Sequence, residues 1–143
     1  MNTAIESFVS GFPHFLVMTA AAGMLLVFAT TIYVLLTPWK ELALVRGGNG
    51  AAGLALAGAI MGLAIPLASS LAASVDLFDL LIWGVVALLL QLITYRVVDM
   101  LLSGIPARIE NDEAGAAIVL IAAKLAAAIL LAAGLWDPNL GRF

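Results

Sequence analysis

Arg46-Gly47-Gly48-Asn49-Gly50-Ala51-Ala52-Gly53 returns as Arg108-Ile109-Glu110-Asn111-Asp112-Glu113-Ala114-Gly115, with Arg, Asn, Ala and Gly in the same order sixty-two positions on. Each copy closes a polar connection and opens a long apolar run, a plan that predicts two membrane hairpins in tandem. Sliding the chain on itself by the same interval also sets Tyr33 on Tyr95, Leu63 on Leu125 and Ala64 on Ala126. The Leu and Ala matches carry little in a chain so rich in both. Tyr, Arg and Asn are scarce, and their matches carry the argument. Each copy, about 14–73 and about 76–135, holds an even number of spans, so the two must point the same way about a pseudo-two-fold along the membrane normal.

The runs on either side of these stretches are long enough to cross a bilayer. At ~1.5 Å of rise per residue, ~20 residues span the ~30 Å hydrocarbon core. Phe15 to Leu36 is the first such run, closed by Thr37-Pro38-Trp39, where Pro cannot continue the helical ladder and Trp favours the interface. Lys40 to Gly48 is a short connection with room for a turn or two of interfacial helix. Gly50 to Ala73 is the second span, with Pro66 inside it to free one carbonyl and kink the helix. Ser69 and Ser70 are candidates to satisfy that carbonyl. Ser74 to Asp79 reads as an acidic turn, Leu80 to Leu102 as the third span, Gly104 to Asp112 as the second connection and Glu113 to Leu135 as the fourth span, stopped by Trp136-Asp137-Pro138. The expected fold is all-α: four transmembrane helices in a single integral membrane domain over residues 1–143.

Composition agrees. The 143 residues are 64% hydrophobic and 10% charged, against a charged fraction near ~25% in soluble domains. Six Lys and Arg against nine Asp and Glu leave no basic run to hold nucleic acid. With no cysteine there is no disulfide, thiol nucleophile or Cys-ligated metal. Met1 to Pro13 holds Glu6 and no cation, unlike a signal peptide, so the first run is expected to stay as a helix. Cations near span ends are retained in the cytoplasm. Lys40, Arg46, Arg96 and Arg108 lie at the two connections, whereas the other face has Arg142 beside Glu6, Asp76, Asp79 and Asp137. Both connections are therefore expected inside and both termini outside, in a bacterial inner membrane.

The repeated asparagines suit helix N-caps, and Asp112 and Glu113 suit a first turn at the positive end of a helix dipole. Arg46 and Arg108 read as topology determinants at lipid phosphate, or, with Asn49, Asn111 and two helix N-termini, as a cytoplasmic mouth that favours anions. Charges inside the spans are more telling, because an ionised group in hydrocarbon costs several kcal/mol. Lys124 lies ~15 Å into the fourth span at 1.5 Å per residue. On the third span Gln91, Tyr95 and Asp99 recur every four residues with Thr94 beside them, and the expected network joins these four to Lys124. Arg96 lies off the stripe, free to snorkel or to share Asp99. The network either holds the third and fourth spans in register or lines a wet path, which Thr19, Thr30, Thr31, Thr37 and Tyr33 would continue. His14 has no ligand-spaced neighbour. No metal motif, cofactor-binding glycine loop or catalytic constellation is present, so no catalytic residue, metal or cofactor is expected and an enzyme is the least supported class.

Asn49 to Gly58, Met61 to Leu67 with Ile65-Pro66 at its centre, Trp83-Gly84, Gln91-Leu92, and Asn111 ahead of an Ala-rich span together resemble the YjfL-type small bacterial inner-membrane proteins, domain of unknown function 350. The resemblance runs from about Phe15 to Leu135. It implies four spans in two tandem repeats and no settled activity. Two functions are compatible with the residues. One is a small channel or transporter for an ion or small polar solute, assembled as a homo-oligomer through Gly58-xxx-Gly62 and the alanines from Ala122 to Ala133. The other is a non-transporting adaptor that recruits a soluble stress-response partner through the cytoplasmic connections.

Overall fold

The computed structural model describes residues 2–73 and 76–136. Ser74, Asp137, Pro138 and Arg142 of the sequence reading lie outside them. The order is α1 (Asn2–Leu36), α2 (Glu41–Arg46), α3 (Gly50–Ala73), α4 (Leu77–Leu102), α5 (Ile105–Glu110) and α6 (Ala114–Leu135). The protein is an all-helical membrane protein, with α1, α3, α4 and α6 long and apolar enough to cross a bilayer. Large apolar side chains such as Phe28, Leu35, Ile82 and Leu130 face outward, as suits a helix whose solvent is lipid.

Two expected bounds move by more than one residue, and the fourth span starts at Ala114, one residue after Glu113. The first helix starts at Asn2, not Phe15, and runs through Pro13; the carbonyl that Pro13 leaves free is on Val9, an exposed residue where solvent or headgroups can satisfy it. The third helix starts at Leu77 because Asp76 caps it, its carboxylate accepting from the Phe78 N–H at 3.4 Å, so Asp79 belongs to the first turn and not to the loop. The second span, Gly50 to Ala73, keeps its expected bounds.

α3 is the centre of the bundle. It packs most extensively on α6, then on α4 and α1, and α1 is the outermost helix. Gly58 makes the α3–α6 approach possible, since a Cβ there would lie 2.9 Å from Ile121 Cγ1. Gly62 does the same for α4, where a Cβ would lie 2.6 Å from Gln91 Cδ. The Gly58-xxx-Gly62 face proposed for a second copy is therefore taken up within the chain. At the end of the bundle that carries α2 and α5, the connection end, Trp39, Ala52, Ala55, Tyr95, Ile105 and Ile109 form a buried cluster with α6.

Pro66 settles where Gln91 goes. Without an N–H it leaves the Gly62 carbonyl, four residues back, with no helical donor. Gln91 Nε2 donates to that carbonyl at 3.0 Å and to the Lys124 carbonyl at 3.2 Å, which ties α4 to both α3 and α6. Gln91, across the bundle, thus does the work expected of Ser69 or Ser70. Replacing Gln91 by Leu keeps the bulk and removes both donors; the expected loss is about 1–3 kcal/mol of unfolding free energy, read from denaturation in detergent. In Pro66→Ala, which restores the N–H, the same Gln91→Leu change should cost less. Equal losses in both backgrounds would refute this pairing.

Candidate functional site

Lys124 lies on the inward line of α6, between Leu120 and Ala128, and is completely buried. Its ammonium does not meet Asp99, Tyr95 or Thr94. Nζ donates to the Tyr33 hydroxyl of α1 and lies 4.2 Å from the centre of the Tyr33 ring. The expected network is thus divided. Asp99 accepts from the Ile105 N–H at 2.8 Å and so holds the start of α5. Tyr95 packs edge-on against Trp39, ring centres 5.1 Å apart. Thr94 gives its hydroxyl to the Leu90 carbonyl of its own helix, as short polar side chains in helices often do. Gln91 meets Lys124 through the Lys124 carbonyl only. Arg96 stacks its guanidinium 5.6 Å from the Tyr95 ring and takes no share of Asp99.

Of the first-span residues proposed to line a path, Thr31 and Thr37 bond the Val27 and Val34 carbonyls. Thr30 differs, with a buried hydroxyl that has no partner.

Glu41 is a member of this site that sequence reasoning passes over. It opens α2, is completely buried, and neither carboxylate oxygen has a hydrogen-bond partner. Burial raises its carboxyl above the ordinary value of 4.5, and the Lys124 charge opposes that shift, as does the Trp39 indole N–H, which lies close by but outside hydrogen-bonding geometry. The first position of a short helix reads in sequence as a favourable exposed site for an acid. Nothing in Lys40-Glu41-Leu42 signals that the chain folds it inward.

The connections are stitched together. Asn49 caps α3 as expected, its side-chain oxygen accepting from the Ala52 N–H at 2.7 Å. Its amide also donates across to the Ile109 and Glu110 carbonyls at 2.9 and 3.2 Å. Asp112 returns the contact by accepting from the Ala51 N–H at 2.7 Å. Asn111 does not cap the fourth span: it closes α5, and Glu113 stands before α6 without a side-chain cap. The backbone explains the mismatch. α2 ends with Gly48 N–H to Val45 and Asn49 N–H to Leu44; α5 ends with Asp112 N–H to Ile109 and Glu113 N–H to Arg108, the same Schellman closure. Asn49 therefore corresponds to Glu113, sixty-four residues on, and Asn111 to Gly47. Gly48 and Asp112 hold the left-handed position, at φ 89° and 59°.

The anion-attracting mouth is also closed. Asn49 and Asp112 occupy the α3 N-terminus, and Arg108 pairs with Glu113 at 2.6 Å, the one ion pair among the described residues. Arg46 is exposed at the end of α2.

Residues 7–135 match the family model described as Domain of Unknown Function (DUF350). The chain is 34% identical over 102 residues to the UPF0719 inner membrane protein YjfL of Escherichia coli (strain K12), covering 71% of this chain and 77% of that protein. It is 27% identical over 118 residues to the UPF0719 transmembrane protein YshE of Bacillus subtilis (strain 168), covering 81% and 88%. No solved structure matches.

The two asparagines should behave differently on truncation. Asn49→Ala is expected to lose a cap and two cross-connection bonds, about 1–2 kcal/mol or more. Asn111→Ala, whose side chain makes no hydrogen bond among the described residues, should stay within about 0.5 kcal/mol. Equal effects would show that the sequence pairing, and not the Schellman pairing, is the functional one. Glu41 makes a second prediction. Its carboxyl is raised in the fold, so its contribution to stability is whole below pH 4.5 and is lost as pH rises through the raised value. The stability of the wild type relative to Glu41→Gln should fall with rising pH over that window and then level off. A difference that grows with pH would overturn the assigned direction.

Proposed function

The chain belongs to the DUF350 family, and from that premise we propose that it is a small channel or transporter for an ion or small polar solute, with the path passing Glu41, Tyr33, Lys124 and Gln91. One observation carries this reading: a completely buried lysine in the middle of a spanning helix, opposite a completely buried carboxylate, with no direct ion pair between them. As a device for holding helices in register the arrangement is poor. Desolvating two charges costs several kcal/mol each, and apolar side chains of similar volume usually serve as well. Gln91 already fastens α3, α4 and α6 with neutral hydrogen bonds. Retained intramembrane charge with its partner held apart is the signature of a path for ions or polar solutes.

The connections are cytoplasmic in this reading, since Lys40, Arg46, Arg96 and Arg108 gather there, and both termini face outside. Assembly into a homo-oligomer rests on α6, where Ala122, Ala126 and Ala133 face outward on one side and let a second backbone approach. The adaptor alternative draws less support. α2 and α5 are six residues each, Glu41, Ile105 and Ile109 are turned into the bundle, and their ends are bonded to each other, which leaves little free chain for a soluble partner.

Purified protein in liposomes loaded with a panel of small ions and polar solutes should release at least one of them. Lys124→Met, close in volume and without charge, should fold and lose that flux. Full flux from a folded Lys124→Met would remove Lys124 from the path. No flux of any solute, together with a soluble partner retained through Arg46 or Arg108, would replace the transport reading by the adaptor.

A further inference from the structure

Three side chains with no exposed surface come from three helices: Tyr33 of α1, Lys124 of α6, whose ammonium reaches Tyr33, and Glu41 of α2, near enough to feel the Lys124 charge. Their hydrogen bonding has a direction. Lys124 Nζ donates to Tyr33 Oη, so the hydroxyl acts as acceptor there and keeps its own O–H to give. The nearby Glu41 carboxylate has two buried oxygens with no donor on either. We propose that Lys124, Tyr33 and Glu41 form a proton-exchange relay, and that the ion this protein carries or couples to is the proton. The inference rests on the transport reading and names its ion.

The step balances. An N–H bond of the Lys124 ammonium breaks as an O–H bond forms on Tyr33; the Tyr33 hydroxyl, which does not touch Glu41 in this structure, then swings within reach of the carboxylate, and its original O–H breaks as an O–H bond forms on Glu41. Tyr33 ends as it began, and one proton has moved from Lys124 to Glu41. The trio has zero net charge before and after, as an ammonium with a carboxylate or an amine with a carboxylic acid. Net charge is conserved, which a low-dielectric interior favours; the ammonium–carboxylate form carries the desolvation cost, and the amine–acid form relieves it. Burial raises the Glu41 carboxyl, as befits a group that takes up the proton.

The surroundings leave few competing partners. From α4, Tyr95 faces the site but is held against Trp39, and Asp99 behind it caps α5. α3 presents Gly62 and no titratable group. On α5 Arg108 is paired with Glu113. On α2 the remaining charge, Arg46, together with Lys40 before it, lines a hollow of about 420 Å³ with Thr37 and Trp39, and Glu41 forms part of its wall. Both Glu41 carboxylate oxygens are buried beneath that hollow, so exchange with water at the connection face requires α2 to open toward it.

The test uses full-length protein in liposomes with a pH-sensitive dye inside and a potassium diffusion potential, alongside difference infrared spectroscopy of the same samples across pH. Wild type is expected to pass protons. Glu41→Gln and Tyr33→Phe, which preserve shape, should each lower proton flux by about tenfold or more, the scale of a lost proton-transfer group, and Glu41→Asp should restore part of it. The infrared band of a protonated carboxylic acid assigned by its loss in Glu41→Gln should shift its titration in Tyr33→Phe and in Lys124→Met. A shifted band without flux of any ion keeps the exchange site and overturns the transport reading. Flux of another ion that is indifferent to Glu41→Gln and Tyr33→Phe overturns the relay and keeps transport. A Glu41 band that ignores both Tyr33→Phe and Lys124→Met overturns the relay whatever the flux.

Discussion

The bundle depends on one missing hydrogen. Pro66 has no N–H, so the Gly62 carbonyl in the middle of α3 has no donor from its own helix, and hydrocarbon offers none. A side chain from another helix supplies it: Gln91 donates to that carbonyl and can approach because Gly62 has no Cβ in the way. That one contact draws α4 against α3. The second hydrogen on the same amide reaches the Lys124 carbonyl, which fixes α6 beside them. A single glutamine thereby places the turn of α6 that carries the only lysine within a span. The Pro66 lesion and the Lys124 site are parts of one arrangement.

Much of the fold is legible in the sequence because lipid reduces the choices. A run such as Gly50 to Ala73 must be helical throughout, and its bounds follow from Asn49 before it. What periodicity cannot reveal is which faces meet. Gln91, Tyr95 and Asp99 do share a face of α4, as their spacing requires, yet they look at different neighbours: α3 and α6, Trp39, and the start of α5. The Lys124 ammonium bypasses that face for Tyr33. The sequence points to Lys124 through its charge and depth, but its partners are set by the placement of α1 and α2, which no local pattern encodes. Glu41 is illegible for the same reason. An acid at the first position of a helix is ordinary until α2 turns it into the bundle beside Trp39.

The internal likeness of the two halves shows a related limit. Matching letters sixty-two apart aligns Arg46 with Arg108 and Asn49 with Asn111, but backbone closure aligns positions sixty-four apart. The chemistry at the two turns differs accordingly. Asn49 caps its own helix and reaches across; at the corresponding place Glu113 turns to Arg108. Asp112 occupies the left-handed position that Gly48 fills in the other half, and from there it caps α3. Each connection finishes a helix end that belongs to the other, so the two are complementary more than identical.

Lys124 belongs to a helix that starts at the connection end, and that direction has a consequence. Side chains lean toward the N-terminus of their helix, so an amine on α6 is tipped toward α2, whereas one on α1 or α4, which run the opposite way, would tip toward the termini. Chain direction, together with depth, therefore decides toward which end of the bundle the lysine leans. Moving the same charge at the same height onto α4 would turn its lean toward the termini while leaving length and composition untouched.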